Sequence, residues 1–168
     1  MAERAPVRHL LIACLEGADR LCELEPALQV LRLGLPGAHL ALLAPATAPG
    51  AALPQAGEIL KWPASLDAAG LLSLVGELRR RRFDAAVILS RPGTSPYLAA
   101  YTCYLAGVPL RLGQSCEFGG AVLSHRFPPL AGRGPARAEY LALAGRALEK
   151  LAPGGGIETR KTCDVCAS

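Results

Sequence analysis

The sequence has few aromatic and few charged residues, and each scarcity excludes a class of protein. Aromatic side chains make up 5% of the 168 residues, too few for a stacking platform that binds single-stranded nucleic acid. Charged residues make up 19% and hydrophobic residues 51%, a composition too apolar for a disordered chain. The net charge of +4 is modest and favours acidic small molecules or lipid headgroups over nucleic acid as partners. We expect one globular domain.

Motifs that bind common cofactors are missing. Gly17 stands alone after the first apolar run, so the G-x-G-x-x-G pattern of nicotinamide-binding proteins is absent. The sequence also lacks a P-loop, a G-x-S-x-G nucleophile elbow and a His-Glu-x-x-His zinc motif. We therefore expect neither a cofactor nor a bound metal.

Membrane-spanning and secretory patterns are absent as well. Residues 33–57 contain no Asp, Glu, Lys or Arg, but prolines at positions 36, 45, 49 and 54 interrupt any helix there. The apolar run 10–15 is followed at once by Glu16 and Asp19, with no small-residue cleavage site, so it does not resemble a secretory signal. These features predict a cytoplasmic protein without a transmembrane helix.

The six cysteines do not indicate a disulfide scaffold. Those at positions 14, 22 and 103 fall in apolar segments, where cysteine behaves as a small hydrophobe. Cys163 and Cys166 form a single C-x-x-C pair after a glycine run, whereas structural zinc needs four ligands. We favour a flexible tail over residues 153–168, with metal binding as the alternative.

Apolar runs and helical periodicity alternate along the chain. Strands are predicted at 10–15, 39–44, 58–62, 84–90 and 110–112, and helices at 21–33, 67–82, 96–106 and about 135–151. Pro26 should kink the first helix or lie in an early turn, and Ser65 or Asp67 should cap the second. This alternation predicts an α/β fold, a doubly wound and mostly parallel sheet formed by residues 1–152.

A basic run, 79–82, lies at the predicted end of the second helix. Cations are favourable there because they face the negative end of the helix dipole. An anionic surface or ligand is the alternative partner for this run.

Open α/β sheets bind ligands beyond the carboxyl ends of their strands, which points to loops 16–20, 91–95 and 113–120. Asp19 has two interpretations, a helix N-cap or a general base. Gly119 and Gly120 allow either close approach of the backbone to a ligand or a tight turn.

Several short motifs occur together over residues 8 to about 150. They are Leu15-Glu-Gly-Ala-Asp-Arg-Leu21 with Pro26-Ala-Leu28, Leu35-Pro-Gly-Ala38, Arg79-Arg-Arg-Arg-Phe-Asp84 and, above all, the run 95–120. That run contains Ser-Pro-Tyr, Cys-Tyr-Leu-Ala-Gly and Gly-Gln-Ser-Cys-Glu-Phe-Gly-Gly. The combination resembles the N-terminal half of glycosyltransferase family 9, the heptosyltransferase-like enzymes of lipopolysaccharide assembly.

The resemblance implies a GT-B architecture, in which two Rossmann-like domains face a cleft. The N-terminal domain holds the acceptor and the C-terminal domain holds the nucleotide-activated sugar. We therefore expect a truncated or split half, inactive alone, of an enzyme that transfers sugar to a lipopolysaccharide-type acceptor. Expected partners are a C-terminal donor-binding half or a second copy, with at most peripheral contact at the inner face of the membrane. The alternative is a non-catalytic module that binds a saccharide or a partner.

The resemblance also assigns candidate residues. Family members place a catalytic Asp at the end of the glycine loop; ungapped alignment puts Arg20 there, with Asp19 one residue earlier as the candidate base. Cys116 stands where relatives often carry Lys. The expected substrate-binding residues are Glu16, Gly17, Arg20, Ser95, Gln114, Ser115, Glu117 and Gly119.

Overall fold

The structure, a computed structural model, describes residues 5–49, 55–65, 67–117, 119–129 and 134–152, apart from the side chains of Ala18 and Asp19. Most of the predicted domain therefore falls within it. The predicted tail 153–168, with its two cysteines, lies outside the described residues. The domain boundary at residue 152 stays a prediction.

The described residues form six strands: β1 (His9–Ala13), β2 (His39–Ala44), β3 (Glu58–Lys61), β4 (Ala85–Ile88), β5 (Leu110–Gln114) and β6 (His125–Phe127). They build one sheet in the order β3-β2-β1-β4-β5-β6, with every neighbouring pair parallel. The predicted doubly wound α/β fold is confirmed. The strand order reverses between β1 and β4, where open sheets of this kind bind ligands.

Helices cover both faces of this sheet. In the part of the chain that the structure describes they are a 3₁₀ helix (Ala18–Leu24), α1 (Glu25–Gly34), α2 (Ala68–Arg81), α3 (Tyr97–Leu105) and α4 (Ala136–Leu151). α1 and α4 pack with the 3₁₀ helix in one apolar layer, and α2 and α3 pack in the other. Such coverage is what right-handed crossovers between parallel strands require.

The side chains of β1 alternate between the two layers. Leu10 and Ile12 join the layer of α1 and α4, whereas Leu11 and Ala13 join the layer of α2 and α3. All four are fully buried. Burial on both faces explains why this strand is a continuous apolar run instead of an alternating one.

Close packing joins α1 to α4. Gly34 ends α1, and a methyl group in its place would overlap the Leu148 side chain of α4. Asp84, just before β4, joins the amino ends of β1 and β4. Its carboxylate accepts hydrogen bonds of 2.8 Å from the backbone N–H groups of Arg8 and His9. The first contact sets how closely α1 and α4 approach, and the second holds the start of β1 beside the start of β4.

Several local expectations were refined by the structure. Pro26 lies in the first turn of α1, where its missing N–H loses no helical bond, so it does not kink the helix. Asp67 caps α2 by accepting from Gly70 N at 2.6 Å, and Ser65 donates to Asp67 instead of capping. β5 extends to Gln114, two residues beyond its prediction, and β6 was not predicted.

Among the described residues, no helix has both the length and the apolar character that crossing a bilayer requires.

Candidate functional site

The loops after β1, β4 and β5 meet at the carboxyl edge of the sheet. One pocket of about 120 Å³ is lined by loop 91–94, by residues 114–117 and by Pro129. A second, of about 100 Å³, lies between Leu15 and Glu16 of the first loop and the start of α3. The three loops predicted from the strand pattern therefore surround one region.

Glu16 joins three elements of the fold. Its Oε1 accepts a hydrogen bond from the Arg91 backbone N–H at 2.7 Å, and its Oε2 accepts one from the Tyr140 hydroxyl at 2.7 Å. Tyr140 is fully buried, and burial, aided by the neighbouring Cys14 and Glu16, raises its pKa well above the ordinary range. The phenol therefore stays protonated and remains a donor to the carboxylate. Glu16 thus ties the β1 loop to the β4 loop and to α4.

Cys14 is buried next to Glu16 and Tyr140. Burial is the main reason that its pKa is raised to about 11, from 9.0. At neutral pH the group is a thiol, and thiols are poor nucleophiles and poor metal ligands. Cys14 therefore contributes packing, as predicted for a cysteine in an apolar run.

Arg91 and Glu139 form a second contact between the β4 loop and α4. Arg91 Nε lies 3.6 Å from Glu139 Oε2, and only 4% of Glu139 is exposed. Neither atom has a hydrogen-bond partner among the described residues. Arg91 places a positive charge beside this buried acidic side chain, which lowers the cost of burying it.

Glu117 links the β5 loop to α3 and β6. Its Oε2 accepts from the Ser95 hydroxyl at 2.7 Å, and its backbone N–H donates to Ser115 Oγ at 2.9 Å. Its carbonyl accepts from both Tyr97 Oη and Arg126 Nη1 at 2.9 Å. The expected substrate-binding residues Ser95, Ser115 and Glu117 are thereby brought together.

Gln114 is buried at the end of β5, although the sequence placed it in a loop. Its Nε2 donates to the Ser90 carbonyl at 2.6 Å, which connects β5 to the end of β4. Gln114 Oε1 and Ser90 Oγ are buried without hydrogen-bond partners in the described ranges. Gln114 lines the first pocket and Ser90 lines the second.

Gly119 packs against the side chain of Tyr97. A methyl group here would overlap the Tyr97 ring, so close packing against Tyr97 requires the glycine. Gly120 has φ of +58°, a conformation that favours glycine. Of the two interpretations of this pair, the tight turn is the one that these geometries support.

The start of the 3₁₀ helix contains the remaining candidates. Gly17 occupies the cap position, and its carbonyl accepts from Arg20 N at 2.9 Å. Asp19 therefore lies inside the helix and does not cap it; its side chain is outside the described part, so its role as a base stays a prediction. Arg20 pairs with Glu23 at 3.4 Å, along the same helix.

Arg91, Glu139 and Tyr140 were not among the predicted site residues. Arg91 is the third residue after β4 and begins the loop 91–95 that the strand pattern indicated, a position that could have identified it. Tyr140 lies 124 residues from Glu16, and no local pattern connects the two. Among the described residues there is no group of three or more potential metal ligands, and the expectation of no bound metal stays a prediction.

Comparison with known proteins gives a likeness of structure alone. No protein-family model matches the sequence, and no curated protein matches it. A glycosyl transferase family 9 structure from Veillonella parvula matches with a TM-score of 0.63 at 15% identity, over 87% of this chain and 41% of that one. The E. coli ADP-heptose lps heptosyltransferase II matches with a TM-score of 0.59 at 21% identity, over 82% of this chain and 40% of that one.

A third match is the E. coli heptosyltransferase WaaC with ADP. Its TM-score is 0.62 at 15% identity, over 83% of this chain and 47% of that one. The chain thus spans less than half the length of each of these three structures. At such low identity the likeness concerns the fold: over most of its length, this chain has a fold found in part of the glycosyltransferase family 9 structures, the family whose motifs its sequence resembles.

Proposed function

We propose that this chain is the acceptor-binding half of a glycosyltransferase similar to family 9. The complete enzyme would transfer a sugar from a nucleoside diphosphate to a lipopolysaccharide-type acceptor. One observation carries the proposal: Ser95, Gln114, Ser115 and Glu117, all from the motif that resembles the family, lie together at the carboxyl edge of the sheet, beyond β4 and β5. The likeness to E. coli heptosyltransferases, one of them with ADP, makes ADP-heptose the first donor to test.

The size of the pockets supports a need for a second lobe. They measure about 120 Å³ and about 100 Å³. Sites that enclose a small ligand commonly measure about 300–1,000 Å³. A nucleotide sugar would therefore be held mainly by a donor-binding half that faces this edge, in agreement with the partial coverage of the matched structures.

The chemistry needs a base on the acceptor side. The base takes the proton of an acceptor hydroxyl, whose oxygen attacks the anomeric carbon, and the nucleoside diphosphate leaves with the electrons of its bond to the sugar. Glu16 is poorly suited to this task because both of its oxygens already accept hydrogen bonds. Asp19 is our candidate base, and the donor-binding half would stabilise the departing diphosphate.

Binding by the isolated chain is the first test. Calorimetric titrations with a lipid-free lipopolysaccharide core oligosaccharide and with ADP should give heat of binding for the oligosaccharide alone. Glu117→Gln replaces the charged acceptor of the Ser95 hydroxyl bond with a neutral amide, and it should weaken oligosaccharide binding about tenfold. Glu149→Gln, an exposed carboxylate near the far end of α4, is the matched control. Binding of ADP but not of the oligosaccharide would contradict the assignment to the acceptor side.

Turnover is the second test. ADP release from ADP-heptose should be absent with the chain alone and appear when a donor-binding half is added as a second polypeptide. Asp19→Asn should then lower the rate about 10²–10⁴-fold without changing oligosaccharide binding. Turnover by the chain alone would contradict the half-enzyme proposal. Oligosaccharide binding without turnover alongside any donor-binding half would indicate the saccharide-binding module instead.

A further inference from the structure

One face of α3 presents apolar side chains to solvent. Leu98, Tyr101, Tyr104 and Leu105 are between 45% and 52% exposed, and α3 has no charged residue. Residues 98, 101 and 105 are spaced by three and four positions, so they follow one stripe along the helix. The opposite side of α3 already supplies the core with Ala99, Ala100 and Cys103. Tyr101 contacts the Tyr97 ring and Tyr104 packs against the Arg111 guanidinium, yet about half of each tyrosine stays exposed. The outer stripe is therefore an apolar surface that the core covers only in part.

The basic end of α2 lies beside this stripe. Arg79 Nη2 donates a hydrogen bond of 2.7 Å to the Leu105 carbonyl at the end of α3. Leu72 is two turns before Arg79 on the same side of α2 and is 66% exposed. We call the set Leu72, Leu98, Tyr101, Tyr104, Leu105, Arg79 and Arg80 the α2–α3 surface. It combines an apolar area with cations at one end.

Most of the cations at that end are not paired with a carboxylate. Arg81 pairs with Glu58 and Glu77. Over the described ranges, Arg79, Arg80 and Arg82 take part in no ion pair, and Arg79 and Arg80 are exposed. The helix dipole favours a cation here, but it accounts for only part of a run of four arginines.

We propose that the α2–α3 surface docks on an anionic lipid membrane. Leucine side chains enter the acyl boundary, tyrosines lie at the level of the headgroups, and arginines contact negative lipid. A symmetric pair of copies through this surface fits less well, because the surface carries arginines and no carboxylate, so the same charges would face each other. The anionic headgroups of a membrane supply that complementary charge.

Docking in this way would also orient the candidate site. α3 begins beside it, where the Ser95 hydroxyl contacts Glu117 and Tyr97 contacts the Glu117 carbonyl. A helix that lies along the bilayer surface would hold this edge of the sheet close to the headgroups. The membrane interaction stands without the proposed function, and it would present a lipid-borne acceptor to the site.

Sedimentation with lipid vesicles tests the proposal. The chain should bind vesicles made of equal parts phosphatidylglycerol and phosphatidylcholine much more strongly than vesicles of phosphatidylcholine alone. Arg80→Gln should weaken binding about fivefold, the effect of one basic residue near an anionic surface. The double variant Leu98→Gln/Tyr101→Gln should weaken it at least about tenfold, from the loss of apolar insertion. Oligosaccharide binding, measured by calorimetry, should be unchanged in both variants.

Matched controls lie on the other face of the sheet. Arg32→Gln and Leu33→Gln on α1, where Leu33 is 73% exposed, should leave vesicle binding unchanged. Tyr101→Trp adds a second readout, because its fluorescence should shift to the blue with anionic vesicles while the single native tryptophan, Trp62, stays buried.

Two results would overturn the proposal. One is failure to bind anionic vesicles; if sedimentation velocity then shows a dimer that the Leu98→Gln/Tyr101→Gln variant abolishes, the surface binds a second copy instead. The other is an equal loss of vesicle binding in the α1 controls.

Discussion

Single side chains at the candidate site hold loops in fixed positions. Glu16 accepts two hydrogen bonds from different elements, and Glu117 receives contacts from Ser95, Tyr97 and Arg126. A site built on such ties is organised before a substrate arrives, which lowers the cost of ordering loops on binding. At this scale, removal of one donor should therefore affect both stability and ligand affinity.

Tyr140→Phe should lower the free energy of unfolding by about 2 kcal/mol at neutral pH, because it removes a donor to a carboxylate. In a Glu16→Gln background the same substitution should cost clearly less, since the bond to a charged acceptor is already lost. Urea unfolding followed by circular dichroism measures both, with the exposed Tyr101→Phe as control. Equal costs in the two backgrounds would show that the charge of the Glu16 acceptor contributes nothing to the effect.

Gly119→Ala should lower the free energy of unfolding by about 1–3 kcal/mol, because the added methyl group displaces the Tyr97 ring. In a Tyr97→Leu background, which shortens the obstructing side chain, the cost should fall. Gly37→Ala is the control, as a methyl group there meets no atom within 4 Å. An unchanged cost without the Tyr97 ring would refute this explanation.

At the scale of elements, helix ends follow their local sequence closely. Asp67 begins α2 through the bond from Gly70 N, and Arg82, with φ of +51°, ends it in the left-handed region. The last turn of α2 contains the basic run, as its position in the sequence predicted. These ends set the length of α2 and hence the place of the α2–α3 surface.

Asp67→Ala should lower the urea concentration at the midpoint of unfolding, whereas Asp67→Asn, which keeps a capping oxygen, should lower it less. The bond from Gly70 N, and then that from Ser65, hold the pKa of Asp67 below its ordinary value of 3.8. The stabilisation is therefore complete above that value and declines as the pH falls through the lower folded pKa. Unfolding curves at neutral and acid pH should show the Ala deficit shrink on acidification; a constant deficit would contradict this role.

At the scale of the whole molecule, one sheet couples two apolar layers. Leu28 of α1 belongs to one layer and Trp62 to the other, and β1 contributes side chains to both. Neither layer can lose its packing without exposing an apolar face of the sheet. We therefore expect the chain to unfold in a single cooperative step.

Leu28→Ala should lower the free energy of unfolding by about 3 kcal/mol, because it leaves a cavity beneath α1. Since the layers unfold together, Trp62 fluorescence and circular dichroism should shift to the same lower urea midpoint. Leu33→Ala, on the exposed side of α1, should change neither. A fluorescence midpoint that stays in place while the circular dichroism signal moves would show that the layers unfold separately.

The fold class and the succession of most elements can be predicted from local sequence patterns. Apolar runs such as 39–44 become strands because both faces of a parallel sheet are buried, and that requirement is visible in a few consecutive residues. The place of the loops at the carboxyl edge follows from the same alternation. β6 could not be predicted because its three residues, His-Arg-Phe, carry no distinctive apolar pattern.

The contacts between groups at that edge depend on the folding of distant segments onto each other. Three of these contacts join residues far apart in the chain. They are the contacts of Tyr140 with Glu16, of Glu139 with Arg91, and of Gly119 with the Tyr97 ring. The exposure of the α3 stripe likewise depends on the absence of any other described element over it. Such contacts arise from how helices cross the sheet and how closely side chains pack, which local patterns do not encode.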